Sequence, residues 1–425
     1  MPKELSVLII SSEYPPFLLG GLGTHVYELT KGLQRRGVKV YVFAHNPGRN
    51  EVVTDGDLTV CYFSMPGVNP SQGPAERELD FNDVRQLNRV VAERAKRLLS
   101  ERNAAVDIIH SHDWFGFEAG CELRRTFGAP LISTVHMLYN PFITWWGSPL
   151  SPAIVKAETA MCTQSDLVIT VSHAMKQAIV GAYGANPNSV KVIHNGFEPL
   201  AATDHVLEAT AGLRGRVAAS GEKIVLYAGR LAPMKGLEQL LLSASRVVKE
   251  FENIVYLVCG RHLDDSYAWE LIKLVERDGN LRKRVKLLGW QSREQLQALY
   301  SIADLAVVPS RFEPFGYAAL EAMAAQVPVV ATDVGGLSEV LAGDVGGLLV
   351  PLVAGPGGQR HADVAKLAEA QLTLLKNPDL AREMATSGQR RANTEFGFDK
   401  MIDSTLEAYS HEARAPEARE HCANS

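Results

Sequence analysis

Two β-branched apolar runs, Leu5-Ser6-Val7-Leu8-Ile9-Ile10 and Val38-Lys39-Val40-Tyr41-Val42-Phe43, flank a helical pattern from about Thr24 to Arg36. Continuous apolar runs of this length fit strands buried on both faces. Gly37 follows the helical pattern and suits its stop. Strand, irregular stretch (Ser11 to Gly23), helix and strand within about 40 residues make a βαβ unit, which needs parallel strands and a helical crossover. The apolar part of the N-terminus is too short for a secretory signal and reads as the first buried strand.

The alternation continues outward from this unit. Strands are predicted at Val106–Ile109, Leu131–Val135, Leu167–Val171 and Val190–Ile193, with helices such as Asn82–Ser100 and Pro152–Gln164 between them. Asn195-Gly196-Phe197-Glu198-Pro199 breaks the pattern. A second series follows: strands Ile224–Tyr227, Ile254–Cys259, Val285–Leu288, Leu305–Val308, Val329–Ala331 and Gly347–Val350, and helices Gly236–Phe251, Arg293–Tyr300, Tyr317–Ala325 and Val364–Lys376. The reading is α/β, with two doubly wound Rossmann-like domains over 1–195 and 196–397. A last helix follows from Phe398 to about 408–410, and 411–425 is expected to be a disordered tail.

Composition sets limits on the function. The 425 residues carry a net charge of −5, too balanced for a nucleic-acid footprint. The five cysteines (Cys61, Cys121, Cys162, Cys259, Cys422) hold no CxxC pair, which argues against a disulfide framework and a cysteine zinc site. No apolar run approaches the ~18 residues of a membrane span, so a cytoplasmic protein without integral membrane contact is expected. His110 and His112 alternate at strand spacing, but the sequence supplies no convincing third ligand, so no metal site is read.

In open α/β sheets ligands gather at the carboxyl ends of strands, and three strand-end segments carry chemistry. Ser12-Glu13-Tyr14-Pro15-Pro16 leads to Gly20-Gly21-Leu22-Gly23, where glycines admit close backbone approach and a helix start favours an anion. A plain glycine turn gives the same pattern. A dinucleotide fingerprint fits poorly, because the glycines lie far from the strand end and Ala44-His45 supplies no acidic residue. Gly229-Arg230-Leu231-Ala232-Pro233-Met234-Lys235-Gly236 sets a planar fork and a point charge five apart, suited to a diphosphate and to the charge developing on it as it leaves. A solvated basic helix start is the plainer alternative. Glu313-Pro314-Phe315-Gly316-Tyr317-Ala318-Ala319-Leu320-Glu321 places two carboxylates around a helix opening. The N–H groups of Phe315, Gly316 and Tyr317 suit a phosphate there, and the carboxylates suit sugar hydroxyls.

Glu-x7-Glu after a Pro-Ser strand end, with Gly-Arg-x4-Lys-Gly upstream, resembles the retaining glycosyltransferases of the GT-B fold, in particular the GT4 family. The likeness runs from Glu13-Tyr14 to Gly346-Gly347-Leu348-Leu349-Val350. It includes His110-Ser111-His112-Asp113, Thr134-Val135-His136, His194-Asn195-Gly196 and Asp333-Val334-Gly335-Gly336-Leu337-Ser338-Glu339. The resemblance implies two domains facing a deep cleft, with the last helix crossing back to the first. It implies donor diphosphate binding by Arg230 and Lys235, with Gly20 and Gly21 from the opposite domain. Glu313 would face the transferred sugar, Glu321 the ribose, His136 the anomeric carbon and the Leu288 backbone the base. Glycogen and starch synthases of bacteria carry a lysine two residues before the Gly-Gly pair. Leu18 stands there in this chain, which favours the broader group.

Asp113, Tyr139, Trp145 and Trp146 are candidate acceptor contacts, since aromatic faces stack on sugars; packing alone would also explain the tryptophans. His25 follows the first strand, where an inverting relative keeps its base, but its place inside the helix argues against that role. The expected activity is transfer of a hexosyl group, of glucose or N-acetylglucosamine type, from a nucleotide diphosphate sugar, UDP by family frequency, to a hydroxyl acceptor. No cofactor or metal is required, and the chain is expected to be a monomer or homodimer. The alternatives are an ADP- or UDP-glucose-dependent glucan synthase, an epimerase or phosphorylase on the same fold, and a non-catalytic nucleotide-sugar-binding regulator.

Overall fold

The computed structural model describes residues 5–18, 20–64, 81–139, 152–198, 210, 212–261, 265–342, 345–355 and 359–423. The chain forms two compact units, Met1–Gly196 with Phe398–Ser425, and Phe197–Gly397. No helix among the described residues is long and apolar enough to cross a membrane.

In the first unit the strands are β1 (Ser6–Ser11), β2 (Lys39–His45), β3 (Glu51–Asp55), β4 (Leu58–Phe63), β5 (Ile108–His112), β6 (Leu131–Val135), β7 (Leu167–Thr170) and β8 (Val190–Val192). Their order across the sheet is β3-β4-β2-β1-β5-β6-β7-β8. Every pair is parallel except β3 with β4, a hairpin turning at Gly56. The parallel strands are buried almost throughout because helices cover both faces. Strand order reverses between β1 and β5, the topological switch point where such sheets bind ligands.

Helix Gly21–Arg35 joins β1 to β2 and buries Val26, Leu29 and Leu33 on the sheet. Helix Phe398–Ala423 belongs to the same unit. Its Phe398, Met401, Ile402, Ala408 and Tyr409 enter one core with Val7, Ile9, Val26 and Leu29. Gly32 allows this approach, since a Cβ there would lie 2.3 Å from Ile402 Cδ1. Arg36 adds ion pairs to Asp399, at 2.8 Å, and to Asp403. Over the described residues the expectation of a disordered tail from 411 is corrected, as is the helix end near 408–410: the helix continues to Ala423. Glu412 is buried and Ala413 packs on the core, so the turn after Tyr409 still has a surface to follow.

The second unit holds β9 (Lys223–Ala228), β10 (Ile254–Cys259), β11 (Val285–Gly289), β12 (Leu305–Val308), β13 (Val329–Thr332) and β14 (Gly347–Val350), all parallel. Their order is β11-β10-β9-β12-β13-β14. This is the doubly wound nucleotide-binding order, and its switch point falls between β9 and β12. Helices Leu237–Glu250 and Val364–Lys376 cover the sheet, with Leu237, Leu240, Leu241 and Leu367 in its core. The chain enters and leaves this unit at neighbouring points: Phe197 N–H donates to Phe396 O at 3.0 Å, and Phe197 bridges Gly397.

Candidate active site

In the second unit the loops after β9 and β12 flank the switch point and meet. Lys235 Nζ lies 2.7 Å from Glu313 Oε2, with both side chains largely buried. Ser310 Oγ donates to the same oxygen at 3.0 Å, and Arg311 N–H donates to Met234 O at 2.8 Å, tying the loops together. Gly236 makes this fit possible. Its φ is +68°, and a Cβ would fall 1.9 Å from Pro309 O. Arg230 ends the turn after β9. Its carbonyl accepts from Tyr227 Oη at 2.9 Å, and its guanidinium has no hydrogen-bond or ion-pair partner among the described residues.

Helix Tyr317–Ala324 opens at Gly316, in the left-handed region at φ +117° and without a side-chain cap. A Cβ at Gly316 would press within 2.8 Å of Leu337 Cδ2. The loop leading in, Glu313 to Phe315, rests on the turn after β13. Gly336 N–H donates to Glu313 O at 2.9 Å, and a Cβ on Gly335 would fall 2.1 Å from that same oxygen. Gly335 and Gly336 therefore hold Glu313 in place by backbone contact. Glu321, further along the helix, accepts from Tyr300 Oη at 3.3 Å. Leu288 lies in edge strand β11, where its carbonyl accepts from Gln291 Nε2 at 2.9 Å.

The first unit builds a different kind of site. Gly20 N–H donates to Glu13 Oε2 at 3.0 Å, which folds the loop back on itself as Gly21 begins the helix. At the end of β5, Asp113 has φ +53° and ψ −176°, a conformation that costs a non-glycine residue on the order of 1–3 kcal/mol. Asp113 Oδ1 accepts from His136 N at 2.7 Å and from Met137 N at 3.4 Å. The strained residue thus fixes the backbone that carries His136 beyond β6. Burial pushes the Asp113 carboxyl up to about 8.

Around His136 stands a group of buried imidazoles. His112 Nδ1 and His136 Nε2 are 3.0 Å apart, and the His25 ring meets His136 edge-on at 4.7 Å between centroids. His110 continues the row: its Nδ1 lies 2.6 Å from Tyr409 Oη and its Nε2 2.7 Å from Thr134 Oγ1. Burial lowers them all, His25 to about 4, His110 to about 3, and His112 and His136 well below their ordinary value. They are neutral hydrogen-bonding groups at neutral pH. The sequence lacked a third imidazole near His110 and His112; the fold brings two, from the helix after β1 and the loop after β6.

Tyr139 N–H donates to Glu158 Oε1 at 2.8 Å, and Tyr183 Oη donates to Glu158 Oε2. Burial raises Glu158 to about 7. Glu158 escaped the sequence reading because it sits mid-helix with no motif around it. Trp145 and Trp146 lie outside the described residues.

A model of the family described as Glycosyltransferase Family 4 matches residues 19–199, and one described as Glycosyl transferases group 1 matches 214–391. The alpha-maltose-1-phosphate synthase of Mycolicibacterium smegmatis is 30% identical over 415 residues, covering 95% of this chain and 99% of the relative. The chain belongs to the family 4 glycosyltransferases. Membership makes this glycosyltransferase a transferase that draws on a nucleotide-sugar donor. The glycogen synthase of Mycobacterium tuberculosis is 28% identical, covering 95% of this glycosyltransferase and 94% of the relative. The solved sucrose-phosphate synthase from Thermosynechococcus elongatus matches with a TM-score of 0.77 at 23% identity, over 97% of this chain and all of that one. That likeness identifies the fold as GT-B.

Proposed function

We propose that this glycosyltransferase moves a hexosyl group, glucosyl before N-acetylglucosaminyl, from a nucleotide diphosphate sugar to a hydroxyl of a saccharide or small-molecule acceptor, with retention at the anomeric carbon. The observation that carries the reading is the Lys235–Glu313 pair at the switch point of the second unit, beside a helix opening without a side-chain cap and an Arg230 guanidinium with no partner among the described residues. A diphosphate is held there by Arg230, Lys235 and the amides at the opening near Phe315, Gly316 and Tyr317. Two side-chain cations then do the work that a divalent ion does in other phosphate sites. Glu313, released from Lys235, accepts hydrogen bonds from the sugar hydroxyls, and Glu321 from the ribose. The Leu288 backbone meets the base, with UDP the leading nucleotide. Gly20 and Gly21 offer close backbone approach to the phosphate.

The chemical step runs on one face of the sugar. The bond from the anomeric carbon to the diphosphate oxygen breaks, and the acceptor oxygen bonds to that carbon from the same side. The acceptor proton passes to the departing diphosphate. His136, neutral and held by the Asp113–backbone bonds, steadies the positive charge developing on the sugar. Asp113, Tyr139, Trp145 and Trp146 are proposed acceptor contacts. The names of the two curated relatives support a glucosyl donor, since glycogen and maltose 1-phosphate are both built from glucose. They also favour a second reading, glucan synthesis, against which Leu18 stands.

A screen of UDP-, ADP- and GDP-sugars with pooled acceptors, read as released nucleotide, tests the proposal, with the anomeric configuration of the product taken by NMR. Acceptor-dependent release with an α-linked product from an α-linked donor is expected. A β-linked product overturns the front-face route, and no transfer from any nucleotide sugar overturns the reading. Incorporation into glycogen alone would select the second reading.

A further inference from the structure

We propose that His25, His112 and His136 form a binding site for one divalent transition metal of the imidazole-preferring class (zinc, cobalt, nickel or copper), and that the metal removes His136 from the sugar and so blocks transfer. One ligating nitrogen from each ring lies within 4.8 Å of the others. His112 Nδ1 and His136 Nε2, at 3.0 Å, sit slightly inside the roughly 3.3 Å that separates two nitrogens sharing a tetrahedral metal at about 2.0–2.1 Å. His25 supplies the third nitrogen from the helix after β1, inside the same 4.8 Å limit.

Two buried atoms, His25 Nδ1 and His112 Nε2, meet no hydrogen-bond partner among the described residues. Such a nitrogen is costly to leave without a partner, and a metal centre supplies one to a ring that turns it inward; His112, which meets His136 through Nδ1, ligates through that nitrogen and keeps its proton on Nε2. Each ring is neutral with one proton; the bond between His112 Nδ1 and His136 Nε2 puts one of those protons on a ligating nitrogen, so ligation moves it to the ring's other nitrogen without a net proton change. Asn195 lies beside the His25 ring, suited to orient it. Three imidazoles leave a fourth position for water, and the small exposure of His136 gives the entry path. The blocking half of the proposal rests on the sugar role of His136 given above; the binding half does not.

The test is a cobalt titration of the metal-free full-length protein without donor. One equivalent should bind with the visible bands of four-coordinate cobalt, zinc should displace it, and X-ray absorption should count three imidazoles. His25→Gln and His112→Gln should each weaken cobalt binding by about 100-fold or more, while His411→Gln leaves it unchanged. Absence of those bands, fewer than three imidazoles in the wild-type spectrum, or undiminished binding in both variants overturns the site. The imidazole count keeps the test decisive if a variant does not fold. Where binding is found but zinc leaves transfer unchanged, the blocking half fails. Where no transfer exists to block, the proposed function fails and the site stands.

Discussion

In the first unit the groups at and near the strand ends are buried: imidazoles lowered by burial, and Asp113 and the helix residue Glu158 raised by it. In the second unit they carry full charges, Lys235 on Glu313 and Arg230, whose guanidinium has no partner among the described residues. The same doubly wound sheet supports both because the switch point exposes strand ends whatever residues stand on them. A diphosphate needs positive charge opposite it, whereas the hydroxyls of a sugar ring need hydrogen-bonding groups placed around them. On the function proposed above, the charged strand ends of the second unit take the diphosphate.

Removing charge from the second unit should have the largest effect. Lys235→Ala is expected to lower kcat by about 10²–10³-fold, the size seen when one transition-state donor is lost. Circular dichroism should show the variant folded, and near-wild-type turnover would break the division of labour. Backbone packing comes next. Gly236→Ala places a Cβ 1.9 Å from Pro309 O, whereas Gly128→Ala, at a similar φ of +70° in the first unit, meets nothing within 4 Å. Denaturant melts should show Gly236→Ala losing at least about 2 kcal/mol more than Gly128→Ala. Equal losses would mean that the second site tolerates loop movement.

A pH profile sharpens the contrast. Burial holds four imidazoles of the first unit below their ordinary value of 6.5: His25 near 4, His110 near 3, and His112 and His136 well below 6.5. Below pH 6.5 the unfolded chain therefore takes up protons first, and the imidazole contribution to stability is lost as pH falls from about 6.5 to about 4. Asp113 and Glu158 run the other way: their contribution is present in acid and lost as pH rises through about 7 to 8. Four imidazoles outweigh two carboxyls in the acid window, so the first unit should be most stable near pH 6.5. The second unit has no buried histidine among its described residues. Pulse proteolysis at pH 5, with fragments assigned to each unit, should open the first unit sooner; the reverse order contradicts this picture. The smallest effect is expected at Tyr409→Phe, which removes the bond to His110 from the last helix and should cost about 1 kcal/mol in a denaturant melt.

The two halves also differed in how far the sequence disclosed them. Leu131–Val135, Ile254–Cys259 and Leu305–Val308 are apolar at nearly every position, and their strands fall where that pattern puts them. β5 was read as Val106–Ile109 but runs through His110-Ser111-His112, whose polar side chains hide a buried strand. They are buried because Ser133 and Thr134 on β6 meet Ser111 and His110 across the sheet, pairing that a single strand cannot reveal. β3 stayed unread because all five of its residues are exposed and no apolar face marks it. The charged pieces of the second unit sit in compact strand-loop-helix segments, so Lys235 and Glu313 stood out from local pattern. The imidazole cluster is assembled from three distant segments and needs the fold to be seen.

The account rests most heavily on where the donor diphosphate sits. A crystal structure with a bound nucleoside diphosphate, UDP first, tests this directly. The account predicts diphosphate oxygens within about 3 Å of Lys235 Nζ and the Arg230 guanidinium, at the opening of the helix that starts at Tyr317. A diphosphate bound elsewhere, with the Lys235–Glu313 pair still closed, would contradict it.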